Sequence, residues 1–125
     1  MKADKLSQFA GEKYLNIESY RKSGKAVGTP VWFAEDGGQL YIYSLADAGK
    51  VKRIRNNPVV RVAPCDFRGN LKGEWAEARA RILDSDEATR GHRLLDQKYG
   101  MLKKAGNIFS TIMKRNRVVI AIELV

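Results

Sequence analysis

Lys50, Lys52, Arg53 and Arg55 place four cations within six residues, directly after an aromatic stretch containing Trp32, Phe33, Tyr41 and Tyr43. Cations at that density attract phosphate and carboxylate groups. Helical spacing spreads the four around an axis, so one or two meet a ligand and the rest are solvated. Trp32, Tyr43 and Trp75 read equally as core or interface residues and as platforms for a flat ring. Elsewhere the chain is poor in reactive groups. Cys65 is its single cysteine and His92 its single histidine, and neither CxxC nor HxxxH spacing occurs, so a protein-built metal site is not expected. Cys65 follows Pro64 and reads as a small packing residue, His92 as a surface position, and Asp84, Asp86 and Glu87 as charges at a helix start. No catalytic acid, base or nucleophile is assigned.

The chain has 125 residues, of which 44% are hydrophobic and 30% charged, which suits one globular domain spanning residues 1–125. No apolar run is long enough to cross a membrane, so a soluble protein with no membrane span is expected. The N-terminal stretch "MKADKLSQFAGEKY" has neither an apolar core nor a cleavage pattern, which makes the cytoplasm the expected location. With 23 Lys and Arg against 14 Asp and Glu, the net charge of +9 favours an anionic partner of some kind: nucleic acid, a membrane surface, or a phosphorylated small molecule.

The elements that must position the cations follow from periodicity. Leu6, Phe9 and Ala10 predict one or two helical turns stopped by Gly11. Residues 13–20, 26–36 and 39–45 predict three consecutive strands. Ser23-Gly24 marks the first turn and Asp36-Gly37-Gly38 the second, and Leu40 and Ile42 face away from Tyr41 and Tyr43. Val51 and Ile54, an Asp47 able to cap and a terminating Pro58 predict a short helix. Strands are expected at 59–67 and 71–83, around a turn at Arg68-Gly69-Asn70. Helices are expected at 84–99 and 102–116, and a last strand at 117–125 with Ile120, Ile122 and Leu124 on one face. The sum is a mainly β fold, an antiparallel barrel of about six strands with peripheral helices. So small a sheet must close or dimerise to protect its edges.

The segments "TPVWFAEDGGQLYIYS" and "GKVKRIRNNPVV", with "GEWAEARARIL" and "KYG", resemble the pyridoxamine 5'-phosphate oxidase-like FMN-binding split-barrel superfamily. More narrowly they resemble its bacterial branch of oxidoreductases dependent on the deazaflavin coenzyme F-420. The resemblance covers roughly residues 13–125. It implies a homodimer of six-stranded antiparallel split barrels with cofactor sites at the subunit interface. It places Thr29, Pro30, Val31, Trp32 and Phe33 beside the ring, Tyr43 and Ser44 along the site, Lys50 on the phosphate, and Lys52 as its helper. Two departures stand out. Gly49 replaces the Arg or other polar residue that often precedes the phosphate lysine, and the C-terminal segment that binds pyridoxal phosphate in the oxidases has no counterpart, which argues against vitamin B6 oxidation.

The resemblance therefore implies an oxidoreductase using coenzyme F-420 or FMN to move a hydride to or from a small organic substrate. Such a site tolerates the lack of acid and base residues, because the cofactor carries the difficult chemistry. Two alternatives stand beside it. One is a flavin- or haem-binding protein without turnover. The other is a basic nucleic-acid-binding barrel, against which count the absence of an RNP-like or helix-turn-helix signature and aromatics set within core-like alternation.

Overall fold

Period-two alternation of apolar residues gives strands that turn one face to a common interior. The structure, a computed structural model, describes residues 2–83, 87–91, 93–95, 97–98 and 117–125. In chain order come α1 (Lys2–Ser7), β1 (Tyr14–Tyr20), β2 (Ala26–Asp36), β3 (Gln39–Leu45), α2 (Gly49–Asn56), β4 (Val59–Cys65), β5 (Ala76–Ile82) and β6 (Arg117–Leu124). Further helical residues lie at 87–91, 93–95 and 97–98. Every strand pair is antiparallel, and the order β1-β2-β3-β6-β5-β4 closes into a barrel through β1 and β4. The expected six-stranded antiparallel barrel is thus present. Gly37 and Gly38, both at positive φ (60° and 83°), make the two-residue turn joining β2 to β3.

Leu15, Ile17, Phe33, Ile42, Ile120 and Ile122 fill the interior with almost no exposure. Val51 and Ile54 of α2 join the same cluster, and α2 packs against β1, β3 and β5, so this helix plugs the barrel end where β3 finishes. Toward the other end of β2, Phe9 sets its ring edge-to-face on Phe33, with centroids 5.7 Å apart and planes at 80°.

A second apolar cluster lies outside the barrel wall. Ala34, Tyr41, Tyr43, Val119 and Ala121 are covered there by Leu83 and Leu95, with Trp32, Ala88 and Leu94 at the margin. Gly91 permits this helix-on-sheet contact, because a Cβ there would lie 2.5 Å from Val119 Cγ1. Gly91→Ala is therefore expected to destabilise the fold by about 1–3 kcal/mol through overpacking. Chemical denaturation measures it, and a stability equal to or above wild type would show that the contact is looser than described.

Three sequence expectations need correction. Helix α1 ends at Ser7, and Phe9 and Ala10 lie in the turns that follow, with Gly11 at φ 76°. The strand expected over 71–83 begins only at Ala76. Gln8 explains part of this delay: its side chain donates to the Glu74 carbonyl (2.8 Å) and accepts from the Glu74 amide (2.9 Å), taking the place of a ladder partner. Gly73 also sits so close to Pro64 that a Cβ would lie 2.7 Å from Pro64 Cγ. Finally, Asp47 does not cap α2; Ala48 is the N-cap residue, with no side-chain cap. His92, Asp84, Asp86 and the helix expected at 102–116 lie outside the described residues.

Candidate functional site

The ladder between β2 and β3 runs from Asp36 opposite Gln39 to Phe33 opposite Ile42 and stops there. Beyond it, β2 continues back to Ala26 on the arm of β1, while β3 continues to Leu45 on the arm of β6. No pairing between these two segments occurs among the described residues, so the barrel wall is split at this point. Strand edges at an interruption of this kind are places where a ligand can meet backbone polar groups.

The split gathers most of the residues expected to hold a cofactor. Thr29, Pro30, Val31 and Trp32 lie on the β2 side, and Tyr43 and Ser44 on the β3 side. Leu45 then leads through Ala46, Asp47 and Ala48 into α2, which begins at Gly49 and Lys50. Val31 packs toward the interior, whereas Trp32 and Tyr43 belong to the outer cluster, where Trp32 lies 6.4 Å from the Tyr14 ring centroid. Ser44 is buried, and its hydroxyl donates to the Leu45 carbonyl at 3.2 Å.

Two expected residues stand apart from this group. Lys52 is on the exposed side of α2. Phe33 is fully buried and lines a cavity of about 550 Å³ between β2 and the α1 segment, with Leu6, Phe9, Glu35 and Lys98. The Lys98 ammonium lies 3.9 Å from the Phe33 ring centroid and donates to the Glu12 carbonyl at 2.8 Å. Although Lys98 as a residue is exposed, desolvation of its ammonium against this apolar wall outweighs the attraction of Glu12 and brings its pKa down to about 8. A lysine with a depressed folded-state pKa binds its proton more weakly in the folded than in the unfolded chain. Stability therefore rises with pH from about 8 toward 10.5. Lys98→Met should flatten that rise. Urea denaturation of both proteins at pH 7.5 and pH 9.5 tests it, and an identical pH slope in the two would refute it.

The electrostatics at the start of α2 favour an anion. The pKa of Lys50 is lowered first by burial and then by the charge of Arg53, so both effects disfavour its unliganded ammonium. Neither has a carboxylate partner among the described residues. The helix has no acidic residue in its first turn and no side-chain cap, leaving amide donors at its N-terminus. Arg53 donates through Nε to the buried Ser19 hydroxyl at 2.7 Å. Its guanidinium folds back over Gly49, where a Cβ would lie 2.8 Å from Arg53 Nη1.

Sequence reading missed Arg53 and Ser19 as members of this group. A signal was present, because helical side chains tilt toward the N-terminus and residue i covers residue i−4. Glycine at 49 followed by arginine at 53 is that arrangement.

Other singled-out residues serve the scaffold. The Arg61 guanidinium stacks 4.5 Å over the Trp75 ring and pairs with Glu18 across β1 and β4. Cys65 is buried, and desolvation pushes its thiol up to about 11, so it packs as an unreactive small residue. Among the described residues no group of His, Cys, Asp and Glu could hold a metal, and no helix is long and apolar enough to cross a membrane.

A phosphate-bearing planar cofactor fits these residues, through paired cations beside an uncapped helix start, next to a split strand pair. The chain is similar in structure to an F420 reductase, at 21% identity and a TM-score of 0.63, over 95% of this chain and 91% of that one. It is also similar to an FAD-binding protein from Mesorhizobium loti (18%, 0.67, 98% and 88%) and to the haem storage protein HutZ from Vibrio cholerae (12%, 0.67, 99% and 88%). At these identities the likeness establishes the shared fold. No curated protein matches the chain in sequence. Residues 3–125 match the family described as pyridoxamine 5'-phosphate oxidase. With that match running through the whole split barrel, the chain belongs to the pyridoxamine 5'-phosphate oxidase family.

Proposed function

We propose that this protein is a flavin- or deazaflavin-dependent oxidoreductase, with coenzyme F-420 or FMN held at the split between β2 and β3. The observation that carries this reading is the juxtaposition of that split with Lys50 at the uncapped start of α2. Thr29, Pro30, Val31 and Trp32 would hold one side of the ring system, and Tyr43 and Ser44 the other. Lys50 would bind the phosphate, with exposed Lys52 adding to the local positive field. Phe33 would act from the barrel interior, fixing the end of the split. When bound, the cofactor supplies hydride transfer to or from a small unsaturated organic substrate. The chain's own work is binding, orientation and exclusion of water.

The resemblance of the sequence to the F-420-dependent branch supports coenzyme F-420 ahead of FMN, and a net charge of +9 adds to it by suiting a more anionic tail. The active unit is taken to be a homodimer with its two cofactor sites at the interface. Exposed Phe67 and Leu71, at 64% and 46%, support a partner surface near the split, because Gly69 between them approaches Pro30.

The test of turnover is to reduce the cofactor on the protein and follow its absorbance on mixing with a panel of conjugated acceptors. Reoxidation faster than that of free cofactor, and dependent on the acceptor, is the expected result. Binding without acceleration across the panel would make the protein a carrier instead of an enzyme.

A further inference from the structure

We infer that Arg53, held by Ser19 and admitted by Gly49, is the second phosphate ligand of this site and works as a pair with Lys50. This rests on the reading above and deepens it, because it makes the site selective for the phosphorylated form of its cofactor.

An arginine that serves stability near a barrel end finds a carboxylate, as Arg61 finds Glu18 and Arg81 finds Glu87. Arg53 has no carboxylate among the described residues, and its guanidinium lies over Gly49, the residue before Lys50, where its charge helps to lower the pKa of that amine. Two partly buried like charges that act on one another raise the energy of the unliganded fold, and a bound anion would relieve it. The Nε of Arg53 is already committed to Ser19 at 2.7 Å. That bond fixes the plane of the guanidinium and leaves its two terminal nitrogens, the fork that grips a phosphate through two parallel hydrogen bonds.

Gly49 completes the arrangement. Arg53 Nη1 lies 2.8 Å from where a Cβ at position 49 would stand, and Cζ lies 3.6 Å from it. The guanidinium thus fills the space of the missing side chain, directly beside Lys50 and over the first turn of α2. Arg55, by contrast, is exposed on the same helix. The charge needed next to Lys50 reaches that place from one turn further along the chain.

Isothermal titration with FMN and with riboflavin separates phosphate recognition from ring recognition, and the corresponding pair for a protein that takes F-420 is the coenzyme and its phosphate-free deazaflavin riboside. Wild type should bind the phosphorylated member of its pair at least tenfold more tightly. Arg53→Ala should lose most of that ratio while keeping its affinity for the phosphate-free member, and Arg55→Ala should keep the ratio. Arg53→Lys, which retains the charge but not the fork, should fall between them and serves if Arg53→Ala does not fold. The double variant Gly49→Arg with Arg53→Ala should recover part of the ratio.

An unchanged ratio in both Arg53→Ala and Arg53→Lys, in a wild-type protein that does prefer phosphate, would overturn the inference and leave the cofactor reading standing. Absence of any cofactor binding by wild type would overturn both.

Discussion

Lys50→Glu weakens cofactor binding tenfold or more, a loss of about 1.4 kcal/mol at least, while leaving the melting temperature equal to or above that of wild type. The two effects have opposite signs for one reason. In the unliganded fold the Lys50 ammonium is disfavoured by burial and by Arg53, as its lowered pKa records. A glutamate there would instead face Arg53 as an opposite charge. Toward a phosphate the substitution exchanges attraction for repulsion. The pH dependence carries the same sign: affinity falls as pH rises through the lowered Lys50 pKa, since only the protonated amine attracts the anion. Fluorescence titration and thermal unfolding of the variant test both halves together. Unchanged affinity removes Lys50 from the site.

Phe33→Ala, in contrast, is expected to cost about 3–5 kcal/mol of folding stability. Its ring is fully buried, meets Phe9 edge-to-face, and lies under the Lys98 ammonium, so truncation removes contacts with the barrel interior, with the turn that follows α1 and with Lys98 at once. Because Phe33 also forms the last β2–β3 pair before the split, the variant should loosen the end of the proposed cofactor site. Equilibrium urea denaturation measures the stability change. A loss below about 1 kcal/mol, outside the range for emptying a buried aromatic site, would mean that Phe9 collapses into the space and that the interior near the split is softer than its packing indicates.

The parts of the fold legible in the sequence are those set by local periodicity. Ile120, Ile122 and Leu124 alternate without a fault and form one face of β6 in the core. Val51, Ile54 and Pro58 mark the buried face and the limit of α2. The start of β5 was not legible, because the irregular course before Ala76 depends on Gln8, 66 residues away from Glu74 in sequence. The split itself was reached only through family resemblance. The apolar pattern of β2 runs through Val31 and Phe33 without a break, and the end of the ladder is a property of where β2 stays with β1 and β3 with β6. The site was legible as charge and not as geometry. Four cations in six residues announced an anion, but only the packing of Gly49, Ser19 and Arg53 distinguishes the cations turned inward from those left in solvent.

The most direct measurement is a titration of the purified, cofactor-stripped protein with FMN and, separately, with coenzyme F-420, following the fluorescence anisotropy of each. Micromolar or tighter binding of at least one of them is expected. Binding of F-420 alone would commit the protein to deazaflavin hydride transfer, and preference for FMN would move it to the flavin branch. Binding of neither would contradict the assignment of the β2–β3 split as a cofactor site and return the basic surface to nucleic acid or haem.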